Sequence, residues 1–460
     1  MKKVKASFCA IAILCGIRAF SQNPPQNVIN DIQNILNNAR TTELAPGAVL
    51  SINAVGQWNY TWGSGVRDLV TNTPVTGNER FRIGSVTKNF IATSILKLAN
   101  QNILNLDDPI SLWLSPTIMN VIPNGNSMTI RHLLNHTSGM ADYTNDPENT
   151  INAVFSSNPL TQFSFEEIML TYFAPLTPVA LPSTSNFNYT NTGYKLLGEI
   201  IKNASGVTYK QYFEQNIFNP LNLTNTTVPA TGEYNISGTH LNGYITFGGQ
   251  QYNDITIQNT SWANGDGDMI SNTSDLNNYF KNLLEGNIIP TSYVNMMTNF
   301  SSTNAGYGLG CYEIYVDGVQ WYGHDGGIPG YGTNMFYCPS LNTYVSNNYN
   351  YGGADMIPLL IEINTYLNST LSSNNNNFNE SIVTAFPNPT NGIITIKINN
   401  YNGDLDFSLV DISGRKVFEQ NKTNFHHEKS FDFSGIDSGT YLLNIKTNEH
   451  NFVKKIIINN

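Results

Sequence analysis

Two groups of strand-forming segments stand far apart in this chain, and that separation limits how it can fold. Ala48-Val49-Leu50-Ser51-Ile52 and Trp58-Asn59-Tyr60-Thr61-Trp62 read as a strand pair joined through a turn at Gly56 and opened by Pro46-Gly47. The next strand signals come only at Tyr307-Gly308-Leu309-Gly310-Cys311, then at 320–323, 334–338 and 343–347. From about 104 to 222 the pattern is helical with many turns. Strands at both ends that bracket a helical middle predict one sheet assembled from both ends, with helices on its faces. Val28, Ile29, Ile32, Ile35 and Leu36 predict an amphipathic helix before it, and 356–367 a helix that closes it.

Between the first strand pair and the helical middle lies Phe81-Arg82-Ile83-Gly84-Ser85-Val86-Thr87-Lys88, a turn that feeds a helix with apolar residues at 91, 95, 98 and 99. Ser85 falls in the first turn, where unpaired amides and the positive end of the helix dipole favour a developing anion. Lys88 is three residues on, so its amine shares a face with the Ser85 hydroxyl. A serine becomes a nucleophile when a neighbouring base takes its proton, and a lysine acts as that base when burial or nearby positive charge lowers its pKa. The spacing recurs at Ser94/Lys97 and Ser413/Lys416, and roughly one or two such matches are expected by chance. Only Ser85/Lys88 opens a helix.

Further candidates follow in order. Tyr189-Thr190-Asn191 precedes a periodic helix over 194–202, and a phenolic oxygen near an ammonium loses its proton more easily. The Asn191 amide can hold a substrate carbonyl and the lysine. His324-Asp325-Gly326-Gly327 ends a predicted strand; there His324 can donate to substrate or to the tyrosine, and the glycines let backbone approach a ligand. The amides of Ser85 and Gly327 would make an oxyanion hole. Tyr-x-Asn recurs at 143, 293 and 366, with Tyr143 the alternative to Tyr189. His132 and His136 stand four apart on a predicted helix, but without the glutamate of a zinc peptidase they read as structural, so no metal or other cofactor is expected. Asp266 and Asp268 read as a capped turn ahead of a helix at Ser274-Asp275.

This order resembles the serine β-lactamase and DD-peptidase (penicillin-binding protein-like) superfamily, on its class C side, over about 45–365. Leu106-Asp107-Asp108-Pro109, Ile130-Arg131-His132-Leu133-Leu134-Asn135-His136-Thr137-Ser138-Gly139, Gly193-Tyr194-Lys195-Leu196-Leu197-Gly198, Pro220-Leu221 and Gly323-His324-Asp325-Gly326-Gly327-Ile328-Pro329-Gly330 are similar too. The resemblance implies Ser85 as the acylated nucleophile. Lys88 and Tyr189 would share acid and base duties, Asn191, His324 and Gly326 would bind substrate, and Ser85 and Gly327 would form the oxyanion hole. It implies a β-lactamase/transpeptidase-like fold: an α/β chain of the α+β kind, an antiparallel sheet flanked by helices plus a helical subdomain. Two features depart from class C β-lactamases. No Lys-Thr-Gly occurs, and His-Asp-Gly looks more like DD-peptidase, esterase and D-aminopeptidase relatives; Asp266 and Asp268 stand where the family is usually small and uncharged.

The ends of the chain carry an address. Lys2, Lys3 and Lys5, the apolar 6–17 and Ala19-Phe20-Ser21 read as a signal peptide over 1–21, too short to span a membrane, and no later stretch is long enough for an integral membrane segment. The hydrolase domain is then expected over 22–368, an Asn/Ser-rich linker over 369–380, and a small β-sandwich over 381–460. Phe386-Pro387-Asn388-Pro389-Thr390-Asn391-Gly392, Asp411-Ile412-Ser413-Gly414-Arg415, Ser438-Gly439-Thr440-Tyr441 and Lys454-Lys455-Ile456-Ile457-Ile458 resemble the type A sorting domain of type IX secretion. That implies the type IX machinery as partner and a secreted or surface protein. A net charge of −10 with 12% charged residues argues against nucleic acid as a partner. Cys311 and Cys338 flank a third strand and read as two buried thiols.

These readings give a secreted serine hydrolase for β-lactams, D-amino-acid peptides or small esters. The rival is a catalytically silent binding protein on the same scaffold, which would be free to lose Ser85, Lys88, Tyr189 and His324.

Overall fold

The computed structural model describes residues 23–144, 150–246, 251–379, 383–411, 415–446 and 451–459. The signal peptide and Ile412-Ser413-Gly414 lie outside the described residues. The chain divides into compact units at Ile363/Asn364.

The first unit is built on one seven-stranded antiparallel sheet. Its strands are β1 (Gly47–Ala54), β2 (Trp58–Asp68), β3 (Thr73–Pro74), β4 (Tyr312–Val316), β5 (Val319–Ile328), β6 (Tyr331–Cys338) and β7 (Thr343–Tyr349), in the order β3-β2-β1-β7-β6-β5-β4. The expected union of both ends is the β1/β7 seam, with Leu50 opposite Asn347 and Ile52 opposite Val345. Alternation sends neighbouring side chains to opposite faces. On one face the Trp62 indole donates to the Ile29 carbonyl of helix α1 (Gln26–Thr42) at 3.1 Å. On the other, the Ser346 hydroxyl donates to Asn277 at 2.7 Å. Helices therefore cover both faces.

Helix α2 (Thr87–Asn100) follows the Ser85 turn and is buried at every position except Lys97 and Asn100. A helix buried on every side lies inside the core, and here its buried polar side chains, Lys88, Asn89 and Thr93 among them, are hydrogen-bonded. Its neighbours include α3 (Asn191–Ser205) and, through Tyr279, α4 (Thr273–Leu284). Phe90 stacks on Tyr279 of α4 with ring centroids 3.6 Å apart and meets Phe213 and Phe218 edge-on or tilted.

Two elements differ from their sequence expectation. The segment 307–311 is not a strand; β4 begins at Tyr312. A Cβ at Gly308 would stand 2.0 Å from the Met297 carbonyl, and Gly310, at φ +72°, passes against Ala92 of α2. These glycines let the chain run close under the helix rather than pair. The closing helix α5 spans Ile357–Asn379 and so runs through the stretch read as a linker, which holds neither Gly nor Pro to stop it. Cys311 and Cys338 are free and buried, as expected.

The second unit carries β8 (Val383–Phe386), β9 (Ile393–Asp411), β10 (Lys416–Asp432), β11 (Gly439–Lys446) and β12 (Asn451–Ile458). The long β9 pairs with β8, β10 and β11, and β11 with β12. Ile394, Ile396 and Ile398, then Leu405, Phe407 and Leu409, fill its core. The inward-facing parity changes between the two triplets, where the β9/β10 register slips between Lys397 and Asn402. Among the described residues no helix is long and apolar enough to cross a membrane.

The α2 packing generates the first prediction. Phe90→Ala opens a cavity among three aromatic rings and should lower unfolding stability by about 3–5 kcal/mol, read from urea midpoints at unchanged slope.

Candidate active site

Strand β4 pairs with β5 only as far as Tyr312 opposite Gly323. Beyond that point the edge of β5 meets the one-turn 3-10 segment Gly84–Val86 that leads into α2. The sequence reading ended the strand before His324; in fact β5 continues through His324-Asp325-Gly326-Gly327 because β6 pairs with it to Ile328. Glycine makes the meeting possible. A Cβ at Gly326 would lie 2.1 Å from the Ile83 carbonyl oxygen and 2.8 Å from the Ser85 nitrogen, and one at Gly84 would lie 2.7 Å from the Gly327 oxygen. The N-terminus of α2 has no side-chain cap, so its amide dipoles remain available to an anion at Ser85.

Lys88 is fully buried, and its ammonium has three acceptors for its three hydrogens: Ser85 Oγ at 2.9 Å, Asn191 Oδ1 at 2.7 Å and the Asp266 carbonyl at 2.7 Å. Burial pulls its pKa down to about 8, opposed chiefly by the Asp266 carboxylate. The Tyr189 ring centroid is 5.1 Å from the ammonium. Burial drives the Tyr189 phenol well above its usual range, and its hydrogen bond to Ser85 draws it partly back. Asn191 is the first residue of α3, three positions earlier than periodicity placed the helix. Its two amide hydrogens go to Asp142 Oδ2 and Thr144 Oγ1, each at 3.0 Å, which fixes Oδ1 on Lys88.

His324 is buried with both nitrogens engaged. Nδ1 faces the Asp325 carbonyl at 2.5 Å, and a carbonyl only accepts, so the proton sits on Nδ1. Nε2 then accepts from the Tyr307 hydroxyl at 2.9 Å. The tyrosine partner is therefore Tyr307; the Tyr189 ring centroid is 6.4 Å away. Burial lowers the His324 pKa to about 4, leaving a neutral imidazole at neutral pH. His136 lies under Tyr189, ring centroids 4.2 Å apart, and accepts from the Thr190 amide through Nδ1. It is off the helix Ile130–Leu134 at φ +57°, while His132 caps that helix, so the two histidines share no face. Among the described residues no group of three or more His, Cys, Asp and Glu could hold a metal ion.

Behind Lys88 lies a buried charge network that the sequence reading missed. Asp266 Oδ2 is 3.5 Å from Lys195 Nζ and 2.7 Å from the Tyr143 hydroxyl. Lys195 also donates to the Asn264 carbonyl at 3.0 Å and sits 4.9 Å from the Tyr143 ring centroid. Asp268 accepts from the Tyr209 hydroxyl, and burial raises its pKa to about 7. The reading of Asp266 and Asp268 as a capped turn is corrected: α4 is capped by Asn272, whose side chain takes the Asp275 amide. Tyr143, the alternative to Tyr189, serves this network instead. The visible signal was a second lysine, Lys195, four residues past Asn191 on the buried face of α3.

Ser85 stands between two lobes of one cleft. A polar lobe of about 250 Å³ is lined by Thr144, Asn152, Asn191, Trp262 and Asp266. A lobe of about 420 Å³ is lined by Phe187, Tyr189, Tyr307, Tyr312, His324 and Asp325. Gly327 borders both. Ser85, Tyr189, Asn191, His324 and Gly327 thus line the cleft, and Lys88 and Gly326 lie against the Ser85 turn behind it.

Comparison with known proteins gives the same outline. The family profile described as Beta-lactamase matches residues 32–354, and that described as Secretion system C-terminal sorting domain matches 384–459. The chain is similar to Penicillin-binding protein 4* of Bacillus subtilis (strain 168), 27% identical over 306 residues, 63% of this chain and 64% of that protein. It spans just under two thirds of the length of the curated relatives it matches. Among solved structures it is similar to the D-stereospecific amidohydrolase from Streptomyces sp., at 31% identity and TM-score 0.65, covering 72% of this chain and 97% of that one. The D-amino acid amidase from Ochrobactrum anthropi SV3, complexed with L-phenylalanine amide, is 26% identical with TM-score 0.64, covering 76% and 99%.

Removing one member of a buried ion pair strands the other. Lys195→Met should cost about 3–5 kcal/mol in chemical denaturation, and adding Asp266→Asn should recover part of the loss, since the stranded carboxylate is then neutral while Lys88 loses one of the charges that favour its ammonium.

Proposed function

The chain belongs to the Beta-lactamase family, and on that premise we propose that it is an exported serine hydrolase that cleaves amides or esters through an acyl-enzyme on Ser85. The observation that carries this reading is the 2.9 Å contact between Ser85 Oγ and a buried Lys88 whose pKa lies near 8, at the junction of two open lobes. The D-amino acid amidase and penicillin-binding relatives support the same class, and β-lactams, D-amino-acid peptides and small esters are its candidate substrates. The C-terminal sorting domain sends the enzyme through type IX secretion to the surface or the extracellular space.

At neutral pH about a tenth of Lys88 is the free amine. That fraction takes the Ser85 proton as Oγ bonds to the carbonyl carbon. The carbonyl oxygen becomes an oxyanion facing the Ser85 and Gly327 amides, aided by the N-terminus of α2. The Tyr189 phenol is too weak an acid to be the resting base. It stays protonated, hands its hydrogen to the leaving nitrogen or oxygen as that bond breaks, and is refilled from Lys88. Water then attacks the ester, giving its proton back along the same pair and returning Ser85 to the hydroxyl. Asn191, held by Asp142 and Thr144, keeps Lys88 aimed at Ser85.

Labelling with a fluorescent penicillin and with a fluorophosphonate, followed by mass mapping, tests the nucleophile. An adduct on Ser85 from the fluorophosphonate, with or without one from the carboxylate-bearing penicillin, that Ser85→Ala abolishes is expected; an adduct on another serine, or none from either probe, overturns the reading. The active form of Lys88 is the deprotonated one. Hence kcat/KM for a neutral ester should rise about tenfold per unit from pH 6, bend near pH 8 and level off above it.

A further inference from the structure

We infer that this cleft selects acyl donors that are neutral or carry an ammonium group and turns away those carrying a carboxylate, with the Asp325 side chain as the discriminating charge. The inference rests on the proposed hydrolase only for its kinetic readout.

Asp325 stands on β5 beside His324 and lines the same lobe as Ser85. Its side chain is 40% exposed, so a ligand in the lobe meets it. One oxygen, Oδ1, accepts from the Tyr312 hydroxyl at 2.9 Å. The nearest basic group is His324 Nδ1 at 3.8 Å, and that imidazole is neutral. No lysine or arginine forms an ion pair with Asp325 among the described residues, so its charge is open to the cleft.

The rest of the lining offers an anion nothing in return. Neither lobe is lined by a lysine or arginine, and the undescribed 145–149, Asn-Asp-Pro-Glu-Asn, contains none. Lys88 is close, but its three hydrogens are already shared among Ser85, Asn191 and Asp266. Tyr307 gives its hydrogen to His324 and Tyr312 gives its own to Asp325, so two phenols of the aromatic wall cannot greet a carboxylate. Their ring faces attract a cation, and that of Phe187 does the same. A like charge within a few ångströms in a half-buried cleft costs about one to two orders of magnitude in affinity. The substrate class is therefore an amide or ester with no free carboxylate near the scissile bond, amino-acid amides and esters with a free ammonium among them.

A matched pair separates charge from shape: N-acetyl-D-alanyl-D-alanine and its C-terminal amide. Wild-type enzyme should hydrolyse the amide at least tenfold better in kcat/KM, and Asp325→Asn should bring the ratio towards one. Calorimetric binding to Ser85→Ala should show the same preference without chemistry. Equal treatment of the pair by wild type, or an unchanged ratio in Asp325→Asn, overturns the inference. If the asparagine variant folds poorly, Asp325→Thr with fluorophosphonate labelling of Ser85 as the fold check takes its place. Loss of all turnover and labelling with the binding preference intact would sink the acyl-enzyme reading and leave this one standing.

Discussion

A lysine ammonium held with no access to water is what the site depends on. Solvation of that charge is replaced by three fixed acceptors, and each comes from a different part of the chain: Ser85 from the turn before α2, Asn191 from the first turn of α3, Asp266 from the loop ahead of α4. Burying an ion costs several kcal/mol unless such partners are supplied. Here the partners are nearly sufficient, and the remaining deficit is what lowers Lys88 to about 8. The same balance that destabilises the charge makes the amine a usable base. Asp266 could not stay ionised at that depth alone; Lys195 and Tyr143 hold it. The network therefore extends inward from Ser85 and Lys88: its acid, Asp266, favours the Lys88 ammonium, while Lys195 holds that acid and, as a like charge, helps to lower Lys88.

The sheet supplies the geometry. Closing β1 against β7 brings a late segment, β5, alongside an early one, the Ser85 turn. The approach is set by backbone, since side chains are missing at Gly84 and Gly326 where any Cβ would collide. The outer edge of β5 is free there only because β4 stops pairing at Gly323. A short edge strand thus leaves the edge of its neighbour for the Ser85 turn.

How much of this was legible in the sequence follows from the range of each interaction. Ser85 and Lys88 are a local pair on one helical face, and Tyr189, Asn191 and His324 sit in short stretches whose order carries the superfamily resemblance. The antiparallel sheet was legible because strand signals cluster at both ends. The charge network was not, because Lys88 and Asp266 are 178 positions apart and a buried aspartate looks like a loop aspartate in sequence. The extent of β5 was missed for a related reason. A glycine-rich motif reads as the end of a strand, whereas pairing with β6 uses only backbone atoms and continues through it. The same holds for α5, where a polar, asparagine-rich composition read as linker, although nothing in it prevents a helix.

Place and charge were read from parts of the chain that do not inform each other. The sorting domain directs the protein beyond the outer membrane, away from the periplasm where wall peptides lie. The cleft, read from a different unit, sets an exposed carboxylate in the lobe beside Ser85, and among the described residues no lysine or arginine lines that lobe. Wall peptides end in carboxylates, and among the described residues the lobes offer such a group no lysine or arginine beyond Lys88, whose hydrogens are already shared. Either observation alone fits several substrates. Together they disfavour the same one for different physical reasons, compartment in one case and Coulomb repulsion in the other. The reading we propose on both grounds is an exported hydrolase for small uncharged or cationic amides and esters, on a scaffold whose relatives include penicillin-binding proteins.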